Sequence, residues 1–332
     1  MTAFERVALN IRASGIAVVL VACFAGMVTP VHALTVGSET VVSAQGSVVF
    51  PSGANDVIGF TRMKSGFTLQ DAATIVRWSA YFPISGNILL NGGLIVLNQD
   101  MVLYPGSRFL GTGKIDANGY SIILNDDGAF LNSNIVFTNN ATINGQGHVV
   151  DLSNSRIAVS GSNKTVTLRN LTITGMQNND MDVTDAYSAI RLQDCSVNLK
   201  GDFSVTTGTF EVRGTVNFAG TNRCRVAGGT FRISTNAACI FGSGTSLDYA
   251  GGSIQFDDVS SQLQLQSAAL LAEENLSLTR GALICDGAVT ITASAGKTLT
   301  YGNGTNQYNL SIQHGPGARV HVSGNVVNAN VP

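Results

Sequence analysis

The chain has 332 residues and a formal net charge of −2, and only 12% of its residues are charged. Ordinary globular proteins carry about 25% charged residues, so neutral hydroxyl and amide groups must dominate this surface. The weak charge excludes an electrostatic footprint for nucleic acid or for an anionic membrane surface, and we expect neither as a partner.

The N-terminus has the order of charge and hydropathy that is typical of a secretory signal. Charged residues at Arg6 and Arg12 precede an uncharged apolar run over residues 13–28, and the small-residue pattern Val31-His32-Ala33 follows. This order predicts cleavage after Ala33, so that residues 1–33 form a signal peptide. We therefore expect an exported protein in the periplasm, on the outer surface or outside the cell.

A second processing route starts at Cys23. Residues 20–23, Leu-Val-Ala-Cys, resemble a bacterial lipobox, in which Cys23 would become the lipidated first residue. The sequence after Cys23 stays apolar as far as Leu34, which favours cleavage after Ala33 instead. No later stretch approaches the roughly 20 uncharged apolar residues that cross a bilayer, so we predict no transmembrane segment in the mature chain.

Residues 34–86 differ in texture from the rest and predict a small N-terminal cap. They contain the single tryptophan of the chain, Trp78. Apolar residues from Leu69 to Trp78 recur at helical spacing, which predicts a short amphipathic helix there.

After Gly86 the sequence consists of strand-length segments that Gly, Asn, Asp or Ser residues separate. Phe210 and Val212, for example, alternate with Glu211 and Arg213. Such alternation is typical of strands that bury one face and expose the other.

Internal repeats indicate how these strands are arranged. Residues 208–212 recur 21 residues later as 229–233, and 23 residues after that as 252–256. An earlier pair, residues 115–119 and 143–147, is separated by 28 residues. A period of this length with about three strands per period is the signature of a β-solenoid.

We therefore predict that residues 87–332 form a parallel β-helix of about ten coils, each rising about 4.8 Å. Stacked coils would place Phe210 over Phe231 in one dry column. The alternative architecture is a β-sandwich or an up-and-down barrel, and the scarcity of two-residue Asn-Gly hairpin turns counts against it.

Two segments carry a resemblance to a known family. Residues 113–119 and 165–173 resemble coils of the pectin-lyase-like right-handed parallel β-helix superfamily, and the likeness covers most of residues 87–332. It implies a right-handed β-helix. It implies no single activity, because the superfamily includes polysaccharide lyases, glycoside hydrolases, phage tailspikes and adhesive surface proteins.

The enzymatic hypothesis is polysaccharide cleavage, for which two carboxylates on neighbouring coils would flank a glycosidic bond. The candidate residues are Asp126, Asp127, Asp180, Asp182 and Asp185, with Arg191 as a basic partner and the pair Asp257 and Asp258 as a further candidate. The alternative interpretation is that these acids are solvated corner residues.

The polygalacturonase pattern occurs only as fragments in the wrong order. Asp126-Asp127 comes first, Gly147-His148 second, Asn179-Asp180 third and Arg191 last, and neither Gly-His-Gly nor Arg-x-Lys is complete. No catalytic assignment is therefore carried over from that family.

Calcium is the one cofactor that the sequence suggests, through the oxygen-bearing side chains between Asn178 and Asp185. Met181 and Val183 interrupt that cluster, and the alternative is an excursion loop without a metal.

Exposed tyrosines would serve a binding function as stacking platforms for sugar rings. The candidates are Tyr104, Tyr120, Tyr187 and Tyr249, and the alternative is that they are buried.

Four cysteines follow Cys23, namely Cys195, Cys224, Cys239 and Cys285. An even number in an exported protein makes them disulfide candidates, with three pairings open. The alternative is that they are small buried hydrophobic residues.

A clear scaffold without a complete catalytic constellation predicts a non-catalytic protein. We expect it to bind a glycan or a protein partner through a side face of the β-helix. The alternative is a polysaccharide lyase or glycoside hydrolase that uses the clustered aspartates.

Overall fold

The structure is a computed structural model, and it describes residues 35–36, 41–42, 48–59, 62–63, 66–81, 83–302, 311–315 and 317–329. The predicted signal peptide and the predicted lipidation site at Cys23 lie outside these residues. Within them there is no helix that could serve as a membrane-spanning segment.

The described residues form strands and no helix. The strands are β1 Thr35–Val36, β2 Val41–Val42, β3 Val48–Phe50, β4 Gly53–Gly59, β5 Arg62–Met63, β6 Phe67–Leu69, β7 Thr74–Ala80, β8 Ile88–Leu89, β9 Leu94–Leu97, β10 Met101–Val102, β11 Phe109–Asp116, β12 Ser121–Ile123, β13 Phe130–Phe137, β14 Ala141–Asn144, β15 Val149–Asp151, β16 Arg156–Val159, β17 Thr165–Met176, β18 Met181–Val183, β19 Ala189–Leu199, β20 Phe203–Val205, β21 Thr209–Gly220, β22 Arg223–Ile233, β23 Ala238–Phe241, β24 Ser246–Phe256, β25 Gln262–Gln266, β26 Ala269–Ala272, β27 Leu276–Leu278, β28 Ala282–Asp286, β29 Ala288–Ala293, β30 Thr298–Tyr301, β31 Ser311–His314, β32 Arg319–Ser323 and β33 Asn325–Asn328.

These strands build a parallel β-solenoid of about 11 turns, consistent with a right-handed β-helix. Each strand pairs in parallel with strands of the neighbouring coils, as β17 does with β19 and β19 with β21. This arrangement confirms the predicted fold class, and it excludes the sandwich and the up-and-down barrel for the described residues, because those folds need antiparallel pairs.

The predicted stacking of the 208–212 repeat is confirmed. Phe210 is in register with Phe231, and their ring centroids lie 5.8 Å apart. Phe231 is in turn in register with Ile254 of the next coil. Phe218 and Phe241 stack in the same interior at 4.9 Å, so a ladder of aromatic rings runs through the middle of the core.

The predicted 28-residue repeat is wrong. Ile143 pairs with Ile122, only 21 residues earlier, and Ile115 pairs with Phe137. Ile115 and Ile143 thus belong to different sheets. The two similar segments therefore occupy different corners of the coil. Their sequences are alike because glycine with a left-handed backbone suits either corner, as at Gly119 with φ 87°.

The predicted helix from Leu69 to Trp78 is also wrong. β6 ends at Leu69, and β7 pairs in parallel with β4 and β9. Val76 and Trp78 are completely buried while Arg77 between them is exposed, which is the two-residue period of a strand. Because β7 pairs with β9, strand stacking already occurs within the region predicted as a cap.

Candidate functional site

One face of the solenoid carries a continuous array of outward-facing polar side chains, which we call the polar grid. It spans six coils, from β14 through β17, β19, β21 and β22 to β24. The polar grid consists of Thr142, Asn144, Thr167, Arg169, Arg191, Gln193, Glu211, Arg213, Arg232 and Gln255.

Strand alternation places these residues outward. On β19, Ile190 and Leu192 are buried in the core, whereas Arg191 and Gln193 are half-buried on the outer side. Parallel register then stacks equivalent residues from coil to coil, so that Arg191 lies between Thr167 and Glu211. Since coils are about 4.8 Å apart, the six rows span roughly 24 Å.

Glu211 is the centre of the polar grid. Its side chain is only 4% exposed, and its carboxylate accepts hydrogen bonds from Arg191 Nε at 2.8 Å, Arg213 Nε at 2.7 Å and Ser234 Oγ at 2.7 Å. Burial acts to raise the pKa of Glu211, but the hydrogen bonds from Arg213, Ser234 and Arg191 together outweigh it and hold the pKa below its usual value. Glu211 therefore carries its charge at neutral pH.

The next coil repeats this arrangement. Arg232 donates from Nε to Asp257 Oδ1 at 2.7 Å, and the carboxylate side chain is 23% exposed. Arg191 is the one predicted site residue that belongs to the polar grid, although it was predicted as a basic partner of catalytic acids. The structure pairs it with Glu211 instead.

An open depression of ≈ 340 Å³ borders the polar grid around one corner of the coil. It is lined by Gly147, Asn170, Leu171, Thr172, Asp194, Cys195, Ser196, Thr215 and Asn217. The shared corner runs through Asn170, Asp194 and Gly214, which all have a positive φ and directly follow grid strand segments. Hydroxyl and amide groups dominate this lining, so it offers both donors and acceptors to a ligand.

A side chain at Gly214 would be unfavourable for two reasons. Its φ is 56°, and a Cβ there would lie 2.0 Å from Asp194 Oδ1. The same Asp194 oxygen accepts a hydrogen bond from Thr215 N at 3.0 Å. The corner therefore ties two coils together at the border between the polar grid and the depression.

The structure places the candidate Asp127 against His148, which was not predicted as a site residue. Asp127 Oδ1 lies 3.1 Å from Nδ1 of His148 on the next coil and also accepts from Val149 N at 2.8 Å. The neighbouring Asp126 accepts from Gly106 N at 2.7 Å and pairs with Arg108 at 3.4 Å. The hydrogen bond from Gly106, more than any other contact, lowers the pKa of Asp126.

The remaining catalytic candidates do not join that set. Asp182 lies on β18 in the 11-stranded sheet, whereas Asp126 and Asp127 follow β12 of the 17-stranded sheet. Asp182 pairs with Arg156, and Asp185 accepts from Tyr187 N at 2.9 Å. The five aspartates therefore form no common catalytic cluster.

The acids around β18, where calcium was considered, have separate partners in the structure. Asp180 accepts from Gln177 N within its own turn at 2.8 Å, and burial raises the pKa of this carboxyl group. Asp182 and Asp185 are engaged with separate partners. The described residues contain no group of three or more histidine, cysteine, aspartate or glutamate side chains arranged to hold a metal ion.

Three of the four candidate tyrosines are exposed. Tyr187 is 77%, Tyr104 44% and Tyr120 39% exposed, but each lies at a separate turn, so they form no common platform. Tyr249 instead packs against the core and donates from its hydroxyl to Gly252 O at 3.0 Å. Tyr81, which is 67% exposed, was not predicted.

The four cysteines, which the sequence left open as disulfide candidates or small buried residues, are buried free thiols in the structure. Cys195 and Cys239 share one column with Val216 between them, so two coil steps of about 4.8 Å separate them. A disulfide needs Cα atoms within about 7 Å. Burial raises the pKa of Cys195 to about 11, so these cysteines behave as small hydrophobic residues.

Sequence reasoning missed a buried acid on another outward face. Asp248 is only 1% exposed, and neither of its oxygens accepts a well-formed hydrogen bond within the described part of the chain. Its nearest cation is Arg223, at 3.6 Å, and burial raises the pKa of Asp248. The alternation of β24 predicts an exposed residue here, so the sequence holds no signal for this burial.

Comparison of the chain with family models, with curated proteins and with solved structures finds no match. The resemblance to the pectin-lyase-like superfamily therefore stays a prediction.

Proposed function

We propose that this protein is an exported, non-catalytic protein of the periplasm or cell surface that binds a glycan chain along the polar grid. The observation that carries the proposal is the continuous outward array of arginine, glutamine, asparagine and threonine side chains beside an open depression lined with hydroxyl and amide groups. An extended chain laid along the solenoid axis would meet equivalent groups on each successive coil.

The rigidity of the face favours this function energetically. A net hydrogen bond contributes only about 0.5–1.5 kcal/mol, so a glycan needs many of them at once. Groups fixed on strands lose little conformational entropy when the ligand binds, which improves affinity without additional contacts.

The polar grid suits a protein partner less well. Cores of protein interfaces are enriched in aromatic residues and depleted of charge. The exposed large hydrophobic residues of the described chain, such as Tyr81, Tyr187 and Val322, all lie outside the polar grid. A glycan is therefore the better match among the two partners expected from the sequence.

A second candidate function is cleavage of a glycan at Asp126, Asp127 and His148. The contact between Asp127 and His148 favours it, because a carboxylate that orients a histidine is a recurring acid–base device. His148 also directly follows Gly147, which lines the depression. Against it, the pKa of Asp126 is lowered, whereas a general acid of a glycosidase needs a raised one.

The test of binding uses a glycan array, followed by calorimetric titration of the purified protein with the best ligand. Gln193→Trp places a bulky ring in the middle of the polar grid. We expect it to weaken binding at least tenfold, because the ring blocks the path of the chain. Ser204→Trp, which changes an outward residue of β20 on another face, is the matched control and should bind like the wild type.

Two outcomes would overturn the proposal. One is a wild-type protein that binds no glycan, and the other is a Gln193→Trp variant that binds as well as the Ser204→Trp control. If the protein instead produces new chain ends in the glycan, and His148→Ala abolishes this activity, then the function is cleavage and not binding.

A further inference from the structure

The cations of the polar grid are all arginines. Arg169, Arg191, Arg213 and Arg232 stand on four consecutive coils, and no lysine belongs to the polar grid. Among the described residues, Glu211 and Asp257 are the acids that form ion pairs with these arginines, so four arginines face two paired carboxylates although the whole chain has a net charge of −2.

Three of these guanidinium groups are anchored by carboxylates of the protein. Arg191, Arg213 and Arg232 each contact their carboxylate through Nε, with distances of 2.8, 2.7 and 2.7 Å. Their side chains remain 23%, 47% and 45% exposed. A guanidinium that is anchored through Nε still has its two terminal nitrogens to donate to another anion.

Arg169 lacks such an anchor. None of the ion pairs among the described residues includes it, and its Nε is buried without a hydrogen-bond partner. Arg169 is in register with Gln193, and Gln193 with Arg213, so an anion at Arg169 would lie on the same line as one at Arg213.

We infer that the polar grid recognises sulfate ester groups spaced along the glycan, with Arg169, Arg191, Arg213 and Arg232 as the binding residues and Glu211 as a positioning residue. This inference rests on the proposed glycan-binding function. Each sulfate would accept hydrogen bonds from the terminal guanidinium nitrogens that point away from Glu211 or Asp257.

The chemistry of the cation favours sulfate esters over carboxylates. A guanidinium is weakly hydrated compared with an ammonium group, and a sulfate monoester is weakly hydrated compared with a carboxylate. Two weakly hydrated ions lose little solvation when they meet, so an array made only of arginines suits sulfate. A sulfate monoester is the anion of a strong acid and stays ionised at neutral and mildly acidic pH.

The first experiment compares three polymers of similar length by calorimetric titration: dextran sulfate, polygalacturonate and unsubstituted dextran. We expect the affinity for dextran sulfate to be at least tenfold higher than that for either other polymer, and to fall as sodium chloride rises from 0.05 to 0.5 M because salt screens exposed charges. Equal or tighter binding of polygalacturonate would overturn the sulfate assignment.

The second experiment separates a defined array from simple positive charge. Glu211→Gln makes the face more positive but releases Arg191 and Arg213 from their anchor. We expect at least a fivefold loss of affinity for dextran sulfate, whereas a purely electrostatic surface would gain affinity. Arg213→Lys keeps the charge but removes the planar fork, and we expect a similar loss.

Arg169→Gln should weaken binding about tenfold, as expected for losing one charge-assisted contact. The control is Arg77→Gln, which removes an exposed arginine and its ion pair with Asp56 from β7, outside the polar grid. Circular dichroism melting of every variant shows that each is folded before titration. Unchanged affinity in both Arg213→Lys and Arg169→Gln would overturn the inference.

The two proposals fail in different ways. If the protein binds a neutral glycan at the polar grid independently of salt, glycan binding stands and sulfate recognition is wrong. If it binds none of the polymers and no glycan on the array, the proposed function itself is wrong.

Discussion

Arg225 and Glu273 form an ion pair at 2.5 Å across two coils of the solenoid, and the coil between them carries the buried residue Asp248. Arg225 is in register with Asp248 on one side, and Glu273 follows β26, which pairs with β24 on the other side. The pair therefore spans the coil on which this outward-facing acid lies. Because the carboxyl group of Asp248 is buried, its ionised form destabilises the fold.

Asp248→Asn should raise the free energy of unfolding at pH 8 by about 1–3 kcal/mol, because it replaces a buried carboxylate without well-formed hydrogen bonds by a neutral amide. Burial raises the pKa of Asp248 above its unfolded value, so the wild-type residue favours the fold at low pH, and this contribution is lost as pH rises through the folded pKa. Urea unfolding at pH 4 and pH 8 measures the effect.

The control for this prediction is Asp202→Asn. The hydrogen bond from Arg223 lowers the pKa of Asp202, so the variant should lose a little stability at pH 8 rather than gain it. A gain in both variants, or a gain for Asp248→Asn that is larger at pH 4 than at pH 8, would contradict the assigned role.

Phe231→Ala should lower the free energy of unfolding by about 3–5 kcal/mol. The ring is fully buried and lies within 6.5 Å of the rings of Phe210, Phe218 and Phe241, so truncation leaves a cavity in the aromatic ladder. Guanidinium unfolding measures the loss. Val259→Ala, at a residue 58% exposed, should change stability by less than about 0.5 kcal/mol and serves as the control.

Gly214→Ala should destabilise the fold by about 1–3 kcal/mol, since φ is 56° and the new Cβ would clash with Asp194 Oδ1. In an Asp194→Ala background the same substitution should destabilise the fold less, because the clash is removed and only the strain of the left-handed backbone remains. Thermal melts of the two single variants and the double variant form a double-mutant cycle. Strict additivity would show that the clash does not occur.

The thiols of Cys195, Cys224, Cys239 and Cys285 should react with a thiol reagent only after unfolding, because all four are buried. We expect four reactive thiols from these positions in guanidinium and almost none in the native protein. The reduced and untreated samples should melt at the same temperature. A mass loss of two hydrogens, reversed by reductant, would instead demonstrate a disulfide.

Periodicity was informative wherever the signal was local. The 21-residue spacing of Phe210 and Phe231 predicted their stacking, because a coil of constant length returns the chain to the same face. The same reasoning failed for Ile115 and Ile143, since two corners of a coil accept similar Asn and Gly sequences. It failed again at Trp78, because the spacing of apolar residues there fits both a helix and a strand. The pairing of β7 with β4 and β9 shows that this segment is a strand.

The all-β class, the coil period and the inward direction of side chains can be predicted from the amino-acid sequence, because they follow from strand alternation and repeat length. The candidate site, in contrast, depends on contacts between coils. The contacts of Glu211 with Arg191 and of Asp127 with His148 join neighbouring coils, and the ion pair of Arg225 with Glu273 spans two coils. Such contacts depend on the register between coils of unequal length, which no local pattern specifies.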